Sequence, residues 1–148
     1  KEEIYREFGN KDGIKLAPGS KDFLKQIPSS TFRCSIGTST ERKNVELAIR
    51  QHDLSQYFLG AACSEDVSKG KPDPEVFLQA AKILSIPPKD CVVFEDSPHG
   101  IEAAIRAGMK TVALNTTHPS TTFMHLNPDL QVASLADLSV DQIEKLFS

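Results

Sequence analysis

Val92-Val93-Phe94-Glu95-Asp96-Ser97-Pro98-His99-Gly100 reads as a short apolar strand that ends in two carboxylates and turns at once into a helix. With Cys91 in front of it, the strand has no polar alternate position, which suits burial on both faces of a sheet. Ser97 before Pro98 is a cap and first-turn pair, and Gly108 closes the helix that follows. Glu65-Asp66 repeats the acidic dipeptide elsewhere. Position after an apolar strand, rather than the dipeptide itself, therefore carries the meaning.

Working outward, strand and helix patterns alternate on both sides. Strands are expected at 32–37, 58–63, 91–94, 111–114 and 130–133, and amphipathic helices at 41–51, 74–84, 98–107 and 140–147. Earlier, Ser20 can cap a helix carrying Phe23, Leu24 and Ile27, and Ile4, Tyr5 and Phe8 mark a short helical candidate. Short apolar strands alternating with helices imply an α/β fold, a Rossmann-like parallel sheet with helices on both faces. Ligands in such sheets gather at the carboxyl ends of the strands.

The chain has 148 residues, 39% of them hydrophobic and 25% charged, which fits one domain with its own core. Its net charge of -3 provides no basic excess for a nucleic-acid backbone. No apolar run approaches a membrane span, so neither nucleic acid nor membrane is expected as a partner. Cys34, Cys63 and Cys91 are odd in number and far apart, as buried thiols in a reducing, cytoplasmic setting would be. The first residue is Lys1 rather than Met, from which a segment upstream is expected.

Three strand ends carry chemistry. Thr38-Ser39-Thr40 leads into a helix whose free N–H groups, with these hydroxyls, could hold an anion; the alternative is that Ser39 or Thr40 only caps the helix. Lys71 sits between Gly70 and Pro72 on a stiff turn that could aim its ammonium inward at a phosphate, or leave it solvated. Asp73 before Pro74 starts the next helix. Glu95 and Asp96 offer the hard oxygens that magnesium takes, with water and phosphate oxygens completing its octahedron. Neither a Walker loop nor a G-x-G-x-x-G loop is present, and His52, His99, His118 and His125 have no metal-ligand spacing.

In this order, Thr38, Gly70-Lys71-Pro72-Asp73-Pro74 and Val92 through Ala104 resemble the later motifs of the haloacid dehalogenase superfamily. The resemblance is to its β-phosphoglucomutase-like branch of small sugar-phosphate phosphatases and mutases. It implies a remnant of a helical cap and hinge at 1–17 and a phosphatase core at 18–148. By this resemblance Thr38 would bind the transferring phosphate of a small metabolite, Lys71 would neutralise it and the nucleophile, and Asp96 with Glu95 would hold Mg2+; the backbone at Ser39 is expected to join Thr38 and Lys71 in holding the anion.

The superfamily opens on a strand ending in Asp-x-Asp-Gly-Thr whose first Asp is the nucleophile, and no Asp-x-Asp occurs in this sequence. Two classes follow. The chain is the C-terminal portion of a magnesium-dependent phosphatase or phosphomutase, inactive by itself, or a noncatalytic relative that binds phosphate or a protein. In the family's sheet the nucleophile strand lies between the strands at 32–37 and 91–94. Its absence would hold them roughly 9.6 Å apart, twice the ordinary strand spacing. A separate peptide, a strand from another copy, or direct pairing of the flanking strands is expected to close that gap, the peptide first.

Overall fold

The computed structural model describes residues 16–148. The helix expected around Ile4, Tyr5 and Phe8, and nearly all of the cap remnant at 1–17, lie outside the described residues. Within them the α/β alternation is found: α1 (Ser20–Leu24), β1 (Cys34–Gly37), α2 (Arg42–Gln51), β2 (Phe58–Ala62), α3 (Glu75–Leu84), β3 (Val92–Glu95), α4 (Pro98–Arg106), β4 (Lys110–Leu114), β5 (Leu130–Val132) and α5 (Val140–Glu144).

Element boundaries shift where local chemistry competes. Ser20 does not cap α1; it is the first helical residue, and its hydroxyl donates to Ala17 O at 2.6 Å. The last helix was expected to reach residue 147 but is α-helical only to Glu144, and a 3-10 turn finishes it at Lys145–Phe147. Its start is well specified. Ser139 and Gln142 exchange side-chain and backbone bonds in a capping box, satisfying two donors that the first turn would otherwise leave open.

All strand pairings are parallel. Ile36 aligns with Ala61 and Gly37 with Ala62 between β1 and β2; Val93 aligns with Thr111 and Val112 with Leu130 across β3, β4 and β5. Helices cover both faces, and the side-chain alternation of β3 shows it. Val93 joins Phe77, Ala80, Ala103 and Ala104 beneath α3 and α4. Val92 and Phe94 turn the other way, to Phe23, Ile27 and Ile143 of the opposite layer. Alanines dominate the first cluster, so α3 and α4 come close to the sheet and to each other.

The sheet is divided. β1 and β2 form one ladder and β3, β4 and β5 another, and no ladder joins β1 to β3 among the described residues. Direct pairing of those two strands is therefore not the arrangement found. Between them lies a largely apolar cavity of about 290 Å³, lined by Ile36 and Gly37 on one side, Val93 and Phe94 on the other, and Phe23 and Phe77 above and below. No helix among the described residues is long and apolar enough to cross a membrane.

Candidate active site

Thr38 follows the last residue of β1 and Asp96 the last residue of β3, so both stand at carboxyl ends of strands. Each is 1% exposed. The Thr38 N–H donates to Ala62 O at 3.0 Å, extending the β1–β2 ladder by one bond. Its Oγ1 accepts the Thr40 N–H at 3.2 Å, a local turn that draws the backbone around the hydroxyl. Ser39, the tip of this turn, is exposed.

Neither Ser39 nor Thr40 caps α2. The helix begins at Arg42, and its first N–H donates to the two carboxylate oxygens of Glu65 at 3.0 and 3.1 Å. Glu65's own backbone N–H, followed by that of Arg42, holds its carboxyl below the usual range. Arg42 in turn reaches Asp66 at 2.5 Å. The second Glu-Asp pair thus fastens β2 to the start of α2. The expected helix N-terminal donors for an anion reduce, at Arg42, to a bond already committed to Glu65.

Lys71 is buried rather than solvated. Its side chain is 4% exposed; its Nζ lies 3.1 Å from Glu95 Oε2 and 4.7 Å from the centre of the Phe77 ring. A desolvated ammonium over an aromatic face gains both a quadrupole attraction and a fixed position. Phe77 can stand there because Gly37 has no side chain, since a Cβ on Gly37 would press on the ring edge at 2.8 Å. The loop that carries Lys71 is shaped from behind by Glu75, whose carboxylate accepts the backbone N–H groups of Ser68 and Lys69 at 3.1 Å each. Those bonds hold the Glu75 carboxyl below its ordinary range. Asp73 Oδ1 accepts the Glu75 N–H at 3.0 Å, doing the capping work expected of it although α3 starts two residues on.

Glu95 is expected to share a cation with Asp96; in the structure its Oε2 takes Lys71 and its Oε1 accepts the Ser97 hydroxyl at 3.0 Å. Ser97 Oγ also accepts the Gly100 N–H at 3.1 Å, so one hydroxyl caps α4 and holds Glu95. Gly100 is required here: a Cβ on it would fall inside the Glu95 carboxyl group. Asp96, the residue after β3, has different partners. Asp96 turns to the loop after β4, where Thr117 Oγ1 is 3.4 Å from its Oδ2 and His118 Nδ1 is 3.0 Å from its backbone oxygen.

No cluster of three metal-ligating side chains occurs among the described residues. A hard divalent cation does not need such a cluster, because magnesium is commonly bound through one or two carboxylates with water and phosphate oxygens. Asp96 supplies such a carboxylate at a buried strand end.

The strand-end rule points to Thr38, Lys71 and Asp96, and the structure buries the side chains of all three. The rule misses Phe77, which looks like core in the helix pattern, and Gly100, whose role is visible only once Glu95 is placed. Thr117 and His118 also escape it, although they lie within four residues of the end of β4.

The haloacid dehalogenase-like hydrolase family matches this chain over residues 2–114. The chain is 37% identical over 135 residues to a probable pseudouridine-5'-phosphatase of Drosophila melanogaster, covering 86% of this chain and 58% of that protein. It is 34% identical over 148 residues to the chloroplastic 5-amino-6-(5-phospho-D-ribitylamino)uracil phosphatase of Arabidopsis thaliana, covering 99% and 38%. The chain therefore spans between 38% and 58% of the length of these relatives. Its fold superposes on β-phosphoglucomutase from Clostridium difficile with a TM-score of 0.76 at 25% identity, covering 88% of this chain and 55% of that one. With β1, β3 and the Lys71 loop converging on one sheet end, these matches place the chain among the haloacid dehalogenase-like hydrolases, in their β-phosphoglucomutase-like branch.

Proposed function

We propose that this chain carries the phosphate-holding and cation-holding part of a magnesium-dependent phosphoryl-transfer site that acts on a small phosphorylated metabolite in the cytoplasm. The observation that carries the reading is the buried Lys71 ammonium, fixed by Glu95 and Phe77. A buried cation retained at the ligand end of a parallel sheet suits an anionic substrate. Thr38, with the backbone at Ser39, binds phosphate oxygens; Lys71 offsets their charge; Asp96 holds the cation. Glu95 acts through Lys71 in this reading rather than on the metal. When bound, Mg2+ would stabilise charge on the phosphoryl oxygens. Three free cysteines support the reducing compartment.

The apolar cavity between β1 and β3 takes, in the same reading, a parallel strand that brings the carboxylate nucleophile. That strand comes from a segment upstream of Lys1 or from a second chain. Two inward strand edges, apolar lining above and below, and strand ends that carry Thr38 and Asp96 all support it.

Calorimetric titration tests the assignment. Inorganic phosphate should bind the chain and be lost in Lys71→Ala, and Mg2+ should bind and be lost in Asp96→Asn. Unchanged dissociation constants in both variants would leave only a noncatalytic module of the same fold.

A further inference from the structure

The loop between β4 and β5 is built against Asp96. His118 Nδ1 lies 3.0 Å from the Asp96 backbone oxygen and 3.0 Å from Thr117 Oγ1. Thr117 Oγ1 lies 3.3 Å from the same backbone oxygen and 3.4 Å from Asp96 Oδ2. Donor logic settles the protons. A carbonyl oxygen only accepts, so the short contact requires the hydrogen on Nδ1. Thr117 Oγ1 can then accept from that N–H and direct its own hydrogen to Asp96.

The geometry is anchored from outside. The His118 ring meets Phe123 edge to face at 6.2 Å, and Phe123 is fully buried against Ile101 of α4 and Ala113 of β4. Gln131 of β5 donates to Asn115 Oδ1 at 3.0 Å and to Ser120 O at 2.6 Å, gripping the loop on both sides of Thr117 and His118.

We propose that Thr117 and His118 are positioning residues: a two-donor clasp that fixes the backbone and carboxylate of Asp96 and so sets its affinity for a divalent cation. The inference rests on the cation role proposed for Asp96. Partners that orient a ligating group typically change metal affinity by about 10- to 100-fold when removed. With Oδ2 tied to the loop, rotation of the carboxyl is restricted, and the direction in which it meets a cation is set before the cation arrives.

The test uses the chain with MgCl2 and, separately, inorganic phosphate. His118→Ala and Thr117→Val should each weaken Mg2+ by about 10-fold while phosphate affinity stays unchanged. Thr117→Ser, which keeps the hydroxyl, and His118→Asn, whose amide N–H can stand near the Nδ1 position, should recover most of the loss. If Asp96→Asn abolishes Mg2+ binding while His118→Ala and Thr117→Val bind as the parent does, the clasp is overturned and the metal reading survives. If Asp96→Asn binds Mg2+ unchanged, the metal reading fails and the clasp has no cation to serve. Nitrogen-proton NMR of the metal-free parent chain is independent of these variants. The Nδ1–H tautomer is expected for His118, and the Nε2–H tautomer would overturn the clasp.

Discussion

Lys71 Nζ and Glu95 Oε2 stand 3.1 Å apart with their side chains 4% and 0% exposed, a buried ion pair joining the loop after β2 to the end of β3. The pair is assembled from two glycines as much as from two charges. Gly37 makes room for the Phe77 ring under the ammonium, and Gly100 makes room for the carboxylate.

Breaking this pair should be costly in one direction and repairable in another. Lys71→Met leaves the Glu95 charge buried without its cation and should destabilise the chain by about 3–5 kcal/mol. Adding Glu95→Gln should restore most of that stability without restoring phosphate affinity. Urea denaturation with phosphate titration on the parent and the two variants checks both halves. Equal stability of single and double variants would show that the charges do not depend on each other.

Gly100→Ala places a methyl group inside the Glu95 carboxyl and should cost about 1–3 kcal/mol as an overpacking change. Because the displaced carboxylate carries Lys71 with it, phosphate binding should weaken in parallel. A variant that loses stability but keeps full phosphate affinity would separate Gly100 from the site.

Burial pushes the Cys34 thiol up to about 11 from its ordinary 9.0. Below pH 9 the thiol is neutral in folded and unfolded chains alike, so stability is undiminished there. As pH rises towards 11, the unfolded chain ionises first and stability falls. Cys34→Ser should flatten that alkaline decline in denaturant midpoints measured from pH 8 to 11. Cys34 also lines the cavity between β1 and β3, so alkylation at this residue should stop when a strand fills it.

The chain alone should hydrolyse neither sugar phosphates nor an aryl phosphate with Mg2+ present, because its sequence contains no Asp-x-Asp to supply the family's carboxylate nucleophile. Supplying a peptide that ends in Asp-x-Asp-Gly-Thr should restore turnover and raise the unfolding midpoint together. A robust rate from the chain alone, abolished by Asp96→Asn, would assign the nucleophile to a residue already present.

Much of this candidate site was legible because strand ends are fixed by apolar runs: Thr38 and Asp96 follow β1 and β3 directly, and Lys71 stands between Gly70 and Pro72 in the loop after β2. The pairing of Glu95 was not. Its partner Lys71 arrives from 24 residues away, and no local pattern announces that bond. The cap on α2 was equally hidden, since Glu65 arrives from 23 residues away and no local pattern announces a partner at that range. Phe77 carries no sign in the sequence that its ring supports a charge; among Val76, Ala80 and Ala81 it reads simply as a member of the apolar stripe of α3.

The divided sheet also sets where backbone amide hydrogens are held. Among the described strands only β4 has a ladder on each side, to β3 and to β5. Both of its edges therefore face an acceptor strand, and each of its ladder N–H groups exchanges with solvent only when the strand that accepts it parts. β1 hangs from β2 on one side alone, and the seam beside it is crossed by side chains but by no ladder. In deuterated buffer the chain should accordingly show one long-lived stripe along β4 and a fast-exchanging margin along the seam, deep inside the fold rather than at its rim.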